Sequence, residues 1–219
     1  LAAAAHGGDD FIQHLNGMFA LALYDGKIHQ LILARDRLGI KPLYWAELSG
    51  GGLVFASEIK AILASGLIDA EIDEAAVCAY LAHGYVPSPN TLFAGINKIP
   101  PAHKLTFDKN GLSLERYWQP ALDLNLPSNP SDISAYLLGL LEDAVGLQLQ
   151  SDVPVGALLS GGIDSGLMVA LAARRSSEPI NTFTVSFEGA AVDEAPLARM
   201  VADRYGTNHS EITVSSSEI

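Results

Sequence analysis

The chain has one cysteine, Cys78, among 219 residues. A disulfide framework is therefore excluded, and the CxxC metal patterns have no material. A reducing, cytoplasmic setting is the default expectation. There is no uninterrupted apolar run of about 18 residues, the length a membrane-spanning helix needs, so no membrane partner is expected. Lysine is absent after Lys109. Residues 1–110 hold 8 Lys+Arg against 11 Asp+Glu, and residues 111–219 hold 5 against 14, so most of the net charge of −12 falls in the second half. A nucleic-acid surface needs clustered cations to displace counterions, and none is expected here. An initiator Met is also missing. The opening "LAAAAHGGDD" lacks the basic start and long apolar run of a signal peptide and reads as a helix tail from something longer. The closing "SEITVSSSEI" stops just after a strand-like run, so truncation is expected at both ends.

What is present falls into two textures. "FALALYD" and "QLILARD" flank "GKIH", a hairpin turn region, and "PLYWAEL" and "LVFAS" flank the Ser49–Gly52 turn. Short strands joined by tight turns predict antiparallel sheet. "SEIKAILASGL" predicts a short helix capped by Ser57 and ended by Gly66, and a second helix begins after Asp73 as N-cap. "HKLTFD" and "LSLERYW" flank Asn110-Gly111, a strong hairpin signal. Then "PALDLNLPSNP" brings three prolines, and a domain boundary is expected there, with units at 1–119 and 131–219 joined by a linker at 120–130. The spacing of Ile133, Leu137, Leu140, Leu141, Val145 and Leu149 predicts a helix. After it come a strand over 155–159, a helix over 164–175, a strand over 182–187, a helix over 194–205 and a strand over 211–214. Alternation of this kind predicts βαβ units with a parallel sheet whose strand C-termini form a ligand-binding edge.

The stretch "VGALLSGGIDSGLM" sits at that edge. Its glycines permit left-handed backbone and remove Cβ atoms that would hold a phosphate away, and the helix that follows offers unpaired N–H groups and a favourable dipole. Ser160 and Ser165 add hydroxyl donors. Neither GxxxxGK[ST] nor GxGxxG is present, so this is not a Walker loop and the dinucleotide reading is weak. Asp164 would repel a phosphate unless a cation lies between them, which points to Mg²⁺ on a polyphosphate. Hydroxyls, amides and Mg²⁺ gathered together favour pyrophosphate as leaving group, hence adenylation of a carboxylate rather than γ-phosphoryl transfer. An ordinary Gly-Gly turn with Asp164 as a helix cap explains the spacing equally well.

SGGxDS between a strand and a helix resembles the PP-loop of ATP pyrophosphatases. "DVPVGALLSGGIDSG" and "TFTVSFEGAAVDEAPLARMVADRYGTNHSEI" resemble the synthetase domain of glutamine-dependent asparagine synthetases. "GDDFIQHLNGMFALALYD", "LILARDRLGIKPLYWA" and "LVFASEIKAIL" resemble the later part of the same family's glutaminase domain. The resemblance implies a partial Ntn-type glutaminase, antiparallel sheets with helices, followed by a partial parallel-sheet α/β ATP-pyrophosphatase domain. It implies that Leu158 lies by the nucleotide base and that Ser160, Gly161 and Gly162 hold phosphate. Asp164 and Ser165 would sit at the Mg²⁺–pyrophosphate, Asp164 as the catalytic residue, and Val185 would offer backbone groups to adenine. The implied reaction joins aspartate and ATP to β-aspartyl-AMP and pyrophosphate, with ammonia from glutamine then displacing AMP. ATP and Mg²⁺ are the expected cofactors, and a homodimer is a further expectation. Gly166 stands where the family often has a second serine. Glutaminases of this family use an N-terminal cysteine, and no such cysteine starts this chain. Similar folds also serve β-lactam synthetases, lasso-peptide cyclases and polysaccharide-modifying amidotransferases, and a non-catalytic protein retaining the fold is a third reading.

Other residues have plainer explanations. Cys78 lies among apolar neighbours in "AAVCAYLAHG", and His83, five residues on, does not share its helix face, so a buried structural role is expected. In "RDRLGIKPLYW", a structural loop with Arg35 or Arg37 paired to a carboxylate is favoured over a nucleic-acid patch. Asp193-Glu194 reads as a helix start rather than a metal site. His6, His14, His29, His103 and His209 lack metal-ligand spacing and are expected on the surface or in loops. Tyr24, Tyr44, Trp45 and Trp118 are expected in the core or at a domain interface.

Overall fold

The computed structural model describes residues 8–121, 126–189 and 193–215. The chain forms two compact units, Leu1–Leu122 and Asp123–Ile219. The helix-tail expectation for the first residues and His6 lie outside the described residues. A 3₁₀ turn at Gly8–His14 opens the described chain.

In the first unit, β1 (Ala20–Asp25), β2 (Gln30–Arg35), β6 (His103–Asp108) and β7 (Gly111–Arg116) form one antiparallel sheet in the order β1-β2-β6-β7. The tight connection at 26–29 pairs Asp25 with Gln30, and Asn110-Gly111 closes the β6–β7 hairpin with Asp108 opposite Gly111. β3 (Tyr44–Glu47) and β4 (Leu53–Ala56) pair with each other, but with a two-residue strand β5 (Asn97–Lys98) they make a separate sheet, order β4-β3-β5. The alternation along β2 explains why both of its faces are buried. Ile32 and Ala34 meet Phe11 and Ile12 from the 3₁₀ turn, and Leu33 meets Leu43, Ile99 and Leu105 on the other side.

α1 (Ile59–Ala64) starts after Glu58, not Ser57, and Glu58 makes no side-chain cap bond. At its other end Ser65 is the cap, its hydroxyl donating to the Ile62 carbonyl, and Gly66 follows with φ +69 and its N–H donating to the Leu63 carbonyl, closing the helix as expected. α2 (Glu74–His83) follows Asp73, whose carboxylate accepts from the Ala75 and Ala76 amides. Only Ala76 of α2 is buried, and Cys78 is exposed. The expected buried, structural cysteine is therefore corrected: an apolar run formed the helix, but the helix buries only that one side chain.

In the second unit, α3 (Pro130–Gln148) begins at Asn129, whose side chain caps the Asp132 amide. Val145 is its one buried residue, with Leu141 and Leu149 packed beside it, while Ile133, Leu137 and Leu140 of the same stripe are exposed. Then β8 (Gly156–Leu158), α4 (Ile163–Arg175), β9 (Asn181–Phe187), α5 (Ala195–Tyr205) and β10 (Asn208–Val214) alternate, and the three strands run parallel in the order β10-β9-β8. Each crossover thus steps one strand in the same direction. Val169 of α4 and Ala198 and Ala202 of α5 pack with Ala157 and Leu159 on one sheet face. On that face Thr182 and Thr184 of β9 are buried, while Phe183, Val185, Phe187 and Ile212 of the opposite face are exposed. Among the described residues no helix is long and apolar enough to cross a membrane.

Candidate nucleotide site

Leu159 is the last residue that β9 holds, its N–H donating to the Phe183 carbonyl at 2.8 Å. The chain then turns at Ser160-Gly161-Gly162 into α4, whose N-cap is Gly162 and whose first turn carries Asp164. Gly161 has φ +76, a conformation a side chain resists, and a Cβ there would stand 2.7 Å from Leu197 Cβ and 2.9 Å from the Glu194 carbonyl oxygen. The turn is pressed against the start of α5 and tolerates glycine alone.

Around that turn the hydroxyls converge. Ser160 Oγ and Ser165 Oγ lie 3.0 Å apart, and Ser165 Oγ also accepts from the Ser160 N–H at 3.3 Å. The Gly162 N–H donates to Ser160 Oγ at 3.4 Å. These long bonds close a small polar ring in which each donor could be redirected to an anion at the helix N-terminus. Asp164 is exposed beside it. The donor set fits a polyphosphate. For a divalent cation it offers one carboxylate and, among the described residues, no converging group of three His, Cys, Asp or Glu. That suits a Mg²⁺ ion held largely by phosphate oxygens, the usual habit of this metal.

Leu158 is 78 % exposed and Val185 50 %. They lie on the same sheet face, since Leu158 pairs with Phe183 two residues before Val185. Ser160 to Ser165 therefore form one constellation at the strand ends, and Leu158 and Val185 border it through the sheet. Gly166, one residue on, is helical and open: a Cβ there would meet only Val201, at 3.7 Å, across a groove of about 400 Å³ between α4 and α5.

Asp193 accepts from the Ala195 N–H at 3.1 Å, so it serves the start of α5 as expected, while Glu194 takes the N-cap position itself. His209 departs from its expected surface position. It lies in β10 with its side chain 12 % exposed, Nδ1 3.0 Å from Thr182 Oγ1 and Nε2 3.3 Å from Glu211 Oε1. The second distance suits an ion pair when the ring is protonated, but that nitrogen is not aligned for a hydrogen bond. Glu211 is held below its ordinary pKa chiefly by the Arg199 guanidinium.

In the first unit, the Arg35–Trp45 stretch is a frame for a loop rather than an ion pair. Arg35 donates to the carbonyls of Lys41, Ile99 and Gly39, and Arg37 donates to the Gln13 carbonyl and stacks over Trp118 at 5.5 Å. The expected carboxylate partner is corrected: backbone oxygens take these guanidinium groups. Asp36, 1 % exposed, instead accepts four backbone N–H groups, from Phe19, Leu38, Ile40 and Lys41. Burial alone would raise its pKa, but those four bonds outweigh it and hold the carboxyl below its ordinary value. Tyr117 donates to the Arg35 carbonyl at 2.7 Å, its phenol pushed up to about 12 by burial and by the Asp36 charge. Tyr24 is 61 % exposed, contrary to the core role expected for it, whereas Tyr44 and Trp45 pack against the cores beneath β3. Among the sites missed in the sequence, Thr184 is the nearest to the turn; its only signal was its alternation with Phe183 and Val185.

Residues 1–118 match the family model described as a glutamine amidotransferase domain, and residues 137–219 match the one described as asparagine synthase. "Asparagine synthetase [glutamine-hydrolyzing] 3" of Bacillus subtilis (strain 168) is 37% identical over 226 residues, covering 96% of this chain and 36% of that protein. "Putative asparagine synthetase [glutamine-hydrolyzing]" of Mycobacterium tuberculosis (strain ATCC 25618 / H37Rv) is 38% identical over 225 residues, covering 100% of this chain and 34% of that protein. "Amidase chry2" of Gibberella zeae is 33% identical over 230 residues, covering 95% of this chain and 33% of that protein. The chain spans about a third of the length of these relatives. It belongs to the glutamine amidotransferase domain family, continued from residue 137 by a segment of the asparagine synthase family.

Proposed function

We infer that the Ser160–Ser165 turn holds the polyphosphate of ATP, and that the protein to which this chain contributes makes asparagine from aspartate with nitrogen from glutamine. The observation that carries this reading is Gly161, left-handed and without room for a Cβ, which lets backbone amides and two serine hydroxyls face one point at the start of α4. The relatives named as glutamine-hydrolysing asparagine synthetases support it.

In this reading an aspartate carboxylate oxygen attacks the α-phosphorus of ATP, the α–β bridging bond breaks, and pyrophosphate leaves with the electron pair. Ammonia then attacks the acyl carbon of β-aspartyl-AMP and AMP departs, giving the amide. Ser160 and Ser165 hydroxyls and the Gly162 amide turn from one another toward the pyrophosphate oxygens, stabilising charge as it develops. Asp164 orients the cation side of the pyrophosphate. Mg²⁺, when bound, neutralises the leaving group's charge. Leu158 and the backbone of Val185 border the base.

The test is asparagine formation by the complete protein with ATP, aspartate and glutamine, and its loss in Asp164→Asn. No aspartate-dependent product would overturn the assignment. The match to a relative named as an amidase favours a second reading, in which the protein's amide chemistry serves a substrate other than aspartate. Pyrophosphate release with another carboxylate, in the absence of aspartate, would select it.

A further inference from the structure

The β8–β9 ladder ends one bond earlier than its geometry allows. Leu158 pairs with Phe183, and the Leu159 N–H reaches the Phe183 carbonyl. In a parallel ladder the next bond would run from the Val185 N–H to the Leu159 carbonyl, because every second residue of β9 turns its backbone toward β8. That carbonyl is taken instead by the Thr184 hydroxyl, which donates to it from a side chain only 4 % exposed. Leu159 itself is 1 % exposed, so its carbonyl could not turn to water. Thr184 therefore satisfies a buried acceptor, and Val185 is left with no partner on β8.

We propose that Thr184 is a positioning residue of the phosphate turn: by capping Leu159 it ends the ladder, sets where Ser160-Gly161-Gly162 leaves the sheet, and keeps the Val185 amide free for a ligand. The part concerning a nucleotide rests on the function proposed above; the part concerning the backbone does not. Thr184 reaches its target through Leu159 and touches no substrate. Val185 and Phe183 point to the opposite face, where they are exposed, so neither side chain reaches this carbonyl.

Amide hydrogen exchange on this chain, read by NMR without ligand, tests the proposal. In the wild type the Val185 amide should exchange freely while Phe183 is protected. In Thr184→Val the hydroxyl is gone, the Val185 amide takes the Leu159 carbonyl, and its protection should rise at least about tenfold, the value of one buried hydrogen bond. Thr184→Ser should restore the wild-type pattern. A Val185 amide already protected in the wild type would overturn the proposal without any variant. So would a Thr184→Ser protein that behaves like Thr184→Val. Titration of the complete protein with Mg²⁺–ATP separates the two claims: Thr184→Val should bind about tenfold more weakly than wild type and Thr184→Ser should match it. If the exchange pattern holds and the wild type binds no ATP, Thr184 keeps its role and the nucleotide reading falls.

Discussion

Gly161 lies against the Glu194 carbonyl, so closely that a Cβ on it would stand 2.9 Å from that oxygen. Glycine at this point satisfies two demands together, a positive φ and contact between the turn and α5. Gly161→Ala should therefore destabilise the second unit by about 2–4 kcal/mol, combining left-handed strain with overpacking. Gly166→Ala, five residues on in a helical and open position, should stabilise it by about 0.5–1 kcal/mol. Urea unfolding of the two variants side by side checks both signs, and equal effects would show that the turn does not discriminate.

Asp36→Asn keeps the shape of the buried carboxylate but offers one acceptor oxygen and an NH₂ group to four backbone donors. It should cost about 2–4 kcal/mol, because at least two amides lose their partners. The pH dependence has a defined sign. The folded-state pKa lies below the unfolded one, so the stabilisation is complete above about pH 4 and is lost as pH falls through the folded value. Unfolding midpoints measured at pH 7, 4 and 3 should fall more steeply in the wild type than in Asp36→Asn.

Arg199 and Glu211 make a bidentate pair, with Nε 2.9 Å from Oε1, and Arg199 is raised and Glu211 lowered in pKa mainly by that mutual bond. The Arg199 side chain is 56 % exposed, however, and solvent screens the pair. Arg199→Ala should change stability only slightly, and the difference from wild type should shrink further in 1 M salt. A larger, salt-independent loss would mean that the arginine stem packs rather than pairs.

The order and type of most elements were legible from periodicity and turn chemistry, but not the 3₁₀ turn at Gly8–His14 or the two-residue strand β5. Asp73 capped the helix it was expected to cap, and Asn110-Gly111 closed its hairpin. Cover was not legible. β9 buries Thr182 and Thr184 and exposes Phe183, Val185 and Phe187, the reverse of the simple polar-out rule, because α4 and α5 both pack on the threonine face. α3 shows the same limit, since a continuous apolar stripe finds partners only at its C-terminal end. Arg35 or Arg37 was expected to pair with a carboxylate, but backbone groups take Arg35 and Asp36, some within the same loop and two, the Ile99 carbonyl and the Phe19 amide, distant in the chain. The Ser160–Ser165 constellation was readable because its members are consecutive. The Thr184 contact to Leu159 was not, since it joins residues 25 apart through a strand pairing.

The products formed from ATP by the complete protein test the site most directly. With the α- and γ-phosphates separately labelled, the Ser160–Ser165 turn should yield AMP and pyrophosphate in equal amounts, in an aspartate-dependent reaction that Asp164→Asn abolishes. ADP and orthophosphate as the products, or turnover unchanged in Asp164→Asn, would contradict it.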